Sequence, residues 1–234
     1  MKAECPALSI IIPALNEAHS ITATLDAVKE VRGCVEVIVV DGGSLDGTVE
    51  ILRARGGGVR VIESGRGRGL QMHAGASQAR GEVLWFLHAD TVPAAEAGER
   101  IGEALRDARV VGGNFRVRFE GASKAARFLT WLYPHLRKLG LCYGDSGIFV
   151  RRDVYSRIGG FKPFPIFEDL ELVRRLRRAG RMAHVQATVT TSSRRFEGRS
   201  FALTFARWSM LQMLYWIGIP PRRLGRMYER RDEV

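Results

Sequence analysis

SIIIPALNE, from Ser9 to Glu17, decides the fold, and VIVVDGGSLDGT, from Val37 to Thr48, repeats its pattern. Each is a short apolar, largely β-branched run that stops at a turn carrying polar or acidic side chains. Runs without polar alternation suit strands buried on both faces, as in parallel sheets. Leu8 to Ile12 is closed by Pro13, and Ile21, Leu25 and Val28 then mark one face of a helix expected to begin near Asn16 and Glu17. Val35 to Val40 predicts a second strand, followed by Asp41-Gly42-Gly43-Ser44 and a short helix over Thr48 to Arg55. Val59 to Ile62 predicts a third strand entering a glycine-rich loop, Gly65 to Gly69. After another helix, Glu82 to Leu87 forms a fourth strand, ending at His88-Ala89-Asp90. This βαβαβαβ succession predicts an α/β, Rossmann-like, doubly wound and mainly parallel sheet with ligands at the carboxyl ends of its strands.

The second half reads differently. Val110 to Phe119 predicts a longer strand, compatible with antiparallel pairing. An aromatic helix around Phe128, Trp131, Leu132 and Tyr133 precedes a glycine-punctuated segment from Tyr143 to Phe149. Glu168 to Ala179 predicts a helix with a strongly basic outer face, and Ser200 to Gly218 a tail that is amphipathic or nearly wholly apolar. With no internal repeat and no low-complexity linker, one cooperative catalytic domain is expected over 1–198, with a basic helical tail over 199–234.

Composition narrows the class. An apolar share of 46% in 234 residues supports a sizeable core. The net charge of +11 is mostly arginine and crowds towards the C-terminus, at Arg194, Arg195, Arg199, Arg222, Arg223, Arg226, Arg230 and Arg231 among others. Such a surplus suits an anionic partner: a nucleotide diphosphate, a lipid phosphate, a membrane surface or a nucleic acid. Cys5, Cys34 and Cys142 are scattered, with no metal spacing, and read as reduced thiols in a cytoplasmic protein. Lys2 and Glu4 run straight into the first strand, unlike a signal peptide. Arg207 interrupts the longest apolar stretch, Phe201 to Ile219, which argues against a transmembrane span.

Glu17, Asp41 and Asp90 each follow a predicted parallel strand, so all three face one rim of the sheet. A single aspartate there is ordinary turn chemistry, whereas three together suggest a ligand site. Asp46, before Gly47-Thr48, reads as helix capping. Ser64-Gly65-Arg66-Gly67-Arg68-Gly69 fails the dinucleotide spacing, since Leu70 stands where a glycine is needed. Its glycines would instead let Arg66 and Arg68 approach a diphosphate.

Taken with GRGRGLQMHAGASQARGEVLWFLHADT (Gly65 to Thr91), YGDSGIFVRR (Tyr143 to Arg152) and FEDLELVRRLRRAGR (Phe167 to Arg181), these motifs resemble the inverting family 2 glycosyltransferases of the GT-A fold. The FLHADT form is similar to a bacterial branch labelled rSAM/selenodomain-associated transferases. The resemblance spans Ser9 to Arg181 and implies transfer of a sugar from a nucleotide-diphosphate sugar, UDP-linked by default, to a small-molecule or lipid-linked hydroxyl acceptor. It places Pro13, Asn16, Glu17 and Asp41 at the nucleotide base and ribose. Ala14, Gly43, Gln71, His88 and Ala89 fall within the same matched motifs and join the donor site. Asp90 would take the last acidic position of a D-x-D motif and join Mg²⁺ or Mn²⁺ to the donor diphosphate. Asp169 would be the general base, with Glu168 and Asp145 completing the catalytic carboxylates and Gly144 bordering the sugar. A base is needed because a hydroxyl is a poor nucleophile, and a cation because the leaving diphosphate gains charge.

Two departures stand out. His88 replaces the first carboxylate of D-x-D, and no Q-x-x-R-W sequence of processive members is present, which favours transfer of a single sugar. Two rival readings are weaker. A nucleotidyltransferase acting on sugar phosphates wants a glycine-rich basic loop directly after strand one, where Pro13-Ala14-Leu15-Asn16-Glu17 stands. A nucleic-acid-binding module wants aromatics interleaved with basic residues, and here they fall in apolar helices. The tail helix is expected either to pack on the domain or on a second copy as a homodimer, or to lie at the inner face of the cell membrane, where tryptophan and arginine meet headgroups.

Overall fold

Four parallel strands form one half of an eight-stranded sheet: β1 (Leu8–Ala14), β2 (Val35–Asp41), β3 (Val59–Glu63) and β4 (Val83–Phe86), in the order β3-β2-β1-β4. The computed structural model describes residues 8–33, 35–56, 58–138, 140–194 and 200–229. Cys5, Cys34, Arg195, Arg199, Arg230, Arg231 and the expected boundary at 198/199 lie outside them. Alternate residues of each strand enter opposite cores, which is why the runs show no polar alternation. Ile10, Ile12, Val39 and Trp85 pack with Ile21 and Leu25 of α1 (Ile21–Lys29). Ile11, Ile38, Val40 and Phe86 pack with Met72 and Ala76 of α3 (Arg68–Gln78). Burying each such side chain contributes about 1.5–3 kcal/mol. Gly75 lets α3 lie close to the sheet: a Cβ there would stand 2.5 Å from Ile11 Cγ2 and 2.9 Å from Val40 Cγ2. The start of α3 therefore sits near the rim where β1 and β2 end.

The first helix begins later than expected. Asn16 adopts a left-handed backbone (φ 55°), and a turn over 17–20, closed by Ser20 N–H and Ile21 N–H on the Glu17 carbonyl, precedes α1. The helix α2 (Thr48–Ala54) starts where expected.

Beyond β4 the sheet continues β7-β6-β8-β5. Here β5 is Thr91–Pro93, β6 is Val110–Phe119, β7 is Phe149–Arg151 and β8 is Arg181–Thr191. The strand β6 is antiparallel to β7 and parallel to β8, so the expected antiparallel pairing holds on one edge only. The helices α4 (Ala97–Ala104) and α5 (Lys124–Lys138) cover the first core, while α6 (Arg152–Arg157) and α7 (Glu168–Ala179) cover the second.

The basic face of α7 is only partly solvated. Arg175 turns inwards, pairing with buried Glu171 at 2.5 Å and donating to the carbonyls of Ile158 (2.5 Å) and Gly160 (2.6 Å). Burial alone would raise the Glu171 carboxyl, but Arg175 and Lys162 hold it below its ordinary value.

The tail forms a helical hairpin, α8 (Phe201–Trp216) and α9 (Pro221–Glu229). Gly218 (φ 94°) ends α8: its N–H donates to Tyr215 O at 3.1 Å, and Ile219 N–H to Leu214 O at 3.0 Å. This is a Schellman stop, after which Pro221 opens α9. The inner face of the hairpin packs Leu211 and Leu224 on Ile166, Phe167 and Leu170, at the start of α7. Its outer face leaves Leu203, Met213, Trp216 and Ile217 between 60% and 75% exposed. Among the described residues no helix is long and apolar enough to cross a membrane.

Candidate functional site

Strand order reverses between β1 and β4, and the loops leaving β1, β2 and β4 gather at that point. The first two are stitched together. Buried Asp41, the last residue of β2, accepts the N–H groups of Gly43 (2.8 Å) and Ser44 (3.0 Å) and the Ser44 hydroxyl (2.5 Å). Ser44 Oγ accepts Asn16 N–H at 2.9 Å, and Asn16 Oδ1 accepts Leu45 N–H at 2.8 Å. Glu17 N–H donates to Thr48 Oγ1, and Ala18 N–H to Asp46, which also caps Thr48. Pro13 and Ala14 end β1 itself. Gln71 binds the strand ends directly, donating from Nε2 to the carbonyls of Ala14 and Val40, each at 2.8 Å. Its amide lies beneath Gly42 and braces the floor of the rim.

The two loop arginines separate. Arg66 is exposed, while Arg68, first in α3, pairs with Glu168 at 3.1 Å and lies 3.4 Å from His88 Nε2. Burial alone would pull the Arg68 guanidinium down, but the Glu168 and Asp169 carboxylates outweigh it and push it up. Glu168 is 3% exposed and the Arg68 side chain 36%, so a half-buried ion pair joins the start of α3 to the start of α7.

The third group surrounds Gly144. Phe167, before α7, holds a left-handed backbone (φ 64°), a conformation that costs a non-glycine residue about 1–3 kcal/mol and clusters at functional sites. The turn presents Asp169 to the short 3₁₀ segment Gly144–Ser146, where Gly144 N–H donates to Asp169 Oδ2 at 2.6 Å. A Cβ on Gly144 would meet His88 Nε2 at 2.8 Å and Asp169 Oδ2 at 3.4 Å, so only glycine lets these groups converge. Tyr133 donates its hydroxyl to Asp145 at 2.8 Å. Burial pushes the Tyr143 phenol up, and the Asp169 and Asp145 carboxylates add to the effect.

Beyond β4, Ala89 is buried, with its carbonyl accepting Thr24 Oγ1, and Asp90 is partly exposed. Arg194, just past β8, reaches across to it. One nitrogen, Nη2, lies 2.5 Å from Glu17 Oε2 and 3.6 Å from Asp90 Oδ2. In the sequence Arg194 is part of the surplus charge only, since nothing local marks an arginine beyond an irregular strand as facing two distant carboxylates. The Mg²⁺ or Mn²⁺ expected at Asp90 meets a poor donor set. Among the described residues no three His, Cys, Asp or Glu side chains converge to hold a metal, and Asp90 faces a guanidinium. The described side chains do not by themselves supply the ligand set of a divalent cation.

The rim thus carries a braced, polar pair of loops after β1 and β2, a cation between Glu17 and Asp90, and a carboxylate beside His88 and Gly144. That arrangement can hold a polar, anionic ligand and accept a proton from a second one. A surface hollow lined by Glu82, Arg106, Arg151 and Arg152 lies at the opposite end of β4, away from these groups.

Comparison with known proteins bears on this site. The family model described as glycosyl transferase family 2 matches residues 9–157. Glycosyltransferase AglE of Haloferax volcanii is 30% identical over 179 residues, covering 70% of this chain and 58% of that protein. A PGL/p-HBAD biosynthesis glycosyltransferase of Mycobacterium bovis is 33% identical over 171 residues, covering 67% and 63%. The chain therefore spans less than two thirds of the length of these relatives. Among solved structures, the mannosyltransferase PcManGT of Pyrobaculum calidifontis, in complex with GDP-Man and Mn²⁺, superposes with a TM-score of 0.68 at 22% identity, covering 89% of this chain and 62% of that one. TarS 1-349 of S. aureus, in complex with UDP-GlcNAc, gives 0.64 at 16% identity, covering 83% and 60%. At these identities the structural matches establish a GT-A-like fold.

Proposed function

The chain belongs to glycosyl transferase family 2, and from that premise we propose that it transfers one hexose from a UDP-sugar to a hydroxyl acceptor, with inversion. The observation that carries the reading is the Asp169 carboxylate, held by Gly144 N–H at 2.6 Å beside His88, at the rim where β1, β2 and β4 deliver Glu17, Asp41 and Asp90. The base and ribose occupy the pocket of Pro13, Ala14, Asn16, Glu17, Asp41 and Gly43. The acceptor oxygen attacks the anomeric carbon, its proton passes to Asp169, and the bond to the β-phosphate breaks with its electrons leaving on UDP. Attack opposite the leaving group inverts the anomeric centre. Thermal shift with UDP-, GDP- and TDP-sugars tests the donor, since a ligand at 100 times its Kd stabilises by about 2.7 kcal/mol. A UDP-sugar is expected to raise the melting temperature and GDP-sugars to do so less. Silence towards every nucleotide sugar would exclude the reading.

The tail hairpin supports a lipid-linked acceptor presented at an anionic bilayer. Phe167, two residues before Asp169, packs on Tyr215 (ring centroids 4.9 Å) and Trp208 (6.4 Å), so the hairpin adjoins the proposed base. Its outward apolar face continues into Phe128 of α5, which meets Phe201 and Phe205, and Arg222, Arg223 and Arg226 on α9 are exposed. Apolar side chains inserting beside arginines match an anionic lipid surface. The protein is expected to sediment with phosphatidylglycerol vesicles at low salt, to release as salt screens the arginines, and to lose binding in Trp216→Ser/Ile217→Ser. A concentration-dependent dimer that stays off vesicles would instead assign this face to a second copy.

A further inference from the structure

We propose that Arg194 is a donor-binding residue: its guanidinium, placed between Glu17 and Asp90, turns to the nucleotide diphosphate when the donor enters. The inference rests on the nucleotide-sugar reading above. Its basis is the placement of one cation. Arg194 Nη2 stands 2.5 Å from Glu17 Oε2 and 3.6 Å from Asp90 Oδ2, and the same guanidinium touches His19. Glu17 follows β1 and Asp90 follows β4, so the cation spans the switch point at which a ligand of this fold sits.

Of the two arginines expected there, Arg66 is exposed and Arg68 is otherwise engaged. Arg68 faces buried Glu168, so its charge is already matched at the start of α7. Arg194 is held differently. Its backbone is anchored, because Ser192 N–H donates to Asp90 O at 3.2 Å and β8 pairs with β5 up to Thr191. Its side chain remains 33% exposed, within reach of an incoming anion. Glu17 keeps a second hydrogen bond when the guanidinium leaves, from Ser20 Oγ at 2.6 Å. A diphosphate offers a forked donor two or more charged oxygens, the geometry an arginine matches and a lysine does not. The guanidinium would also offset charge growing on the departing diphosphate.

Calorimetry with UDP and with uridine, both in EDTA, tests the assignment on wild type, Arg194→Ala and Arg194→Lys, with thermal unfolding as the check on folding. Arg194→Ala is expected to bind UDP about 10–100-fold more weakly, as for loss of charge-assisted hydrogen bonds, and uridine as tightly as wild type. Arg194→Lys should fall between. Equal UDP affinity in wild type and Arg194→Ala would overturn the proposal. So would a parallel loss for uridine, since Arg194 would then act on the nucleoside pocket through Glu17. If the wild type binds neither UDP nor GDP, the nucleotide-sugar reading itself fails and this assignment falls with it; wild-type binding of UDP with an indifferent variant sinks Arg194 alone.

Discussion

Asp169→Asn is expected to lower sugar transfer by about 10²–10⁴-fold, the usual effect of removing a general base, while leaving nucleotide affinity within two- or three-fold of wild type. The substitution is nearly isosteric, and its amide oxygen can still accept Gly144 N–H, the 2.6 Å bond that holds the carboxylate in place. What is lost is the capacity to take the acceptor proton. Steady-state kcat, measured beside UDP binding by calorimetry, separates the two effects. Activity within a few-fold of wild type would exclude Asp169 as the base and move attention to Asp145, which receives the Tyr133 hydroxyl at 2.8 Å. Glu168 is the weaker substitute, because its buried carboxylate already faces Arg68 at 3.1 Å. Replacing it should lower activity and cost stability only modestly, since the Arg68 charge left behind is partly exposed to water.

Asp41→Ala should weaken UDP binding by about 10–100-fold in a protein that still folds. The carboxylate receives two backbone N–H groups and the Ser44 hydroxyl. Through Ser44 Oγ it also positions Asn16, so its loss loosens both loops after β1 and β2. Hydrogen bonds to a charged group contribute about 1.5–3 kcal/mol each, and every 1.4 kcal/mol is about tenfold in affinity. Asp41→Asn keeps an acceptor oxygen and should recover part of the affinity. Titration calorimetry with UDP, alongside thermal unfolding, checks both variants. Unchanged affinity in a folded Asp41→Ala protein would remove Asp41 from the donor site.

What the sequence determined by itself is the half of the molecule where local pattern and tertiary environment agree. Ile10 to Ile12, Val37 to Val40 and Val83 to Phe86 are apolar without alternation because both faces of the sheet are covered, so strands, order of elements and the rim bearing Glu17, Asp41 and Asp90 could be read directly. Arg181 to Thr191 alternates in burial from Val185 onward, as a half-buried strand does, but its parallel partner is β6, distant in sequence and irregular in register, and that pairing belongs to the tertiary structure. The tail was legible as an apolar helix, but its division into a face packed on Phe167 and a face left open depends on where α7 begins. Pairing of charges is the clearest case of what only the tertiary structure decided. With 36 basic and 25 acidic residues, many arginines could serve any one carboxylate, and spacing along the chain does not choose among them. The close packing of α3 on the sheet brings Arg68 to Glu168, Gly144 admits Asp169 beside His88, and the end of β8 carries Arg194 to Glu17 and Asp90. Ion pairs form between groups brought within a few ångströms, and that proximity belongs to the folded chain as a whole.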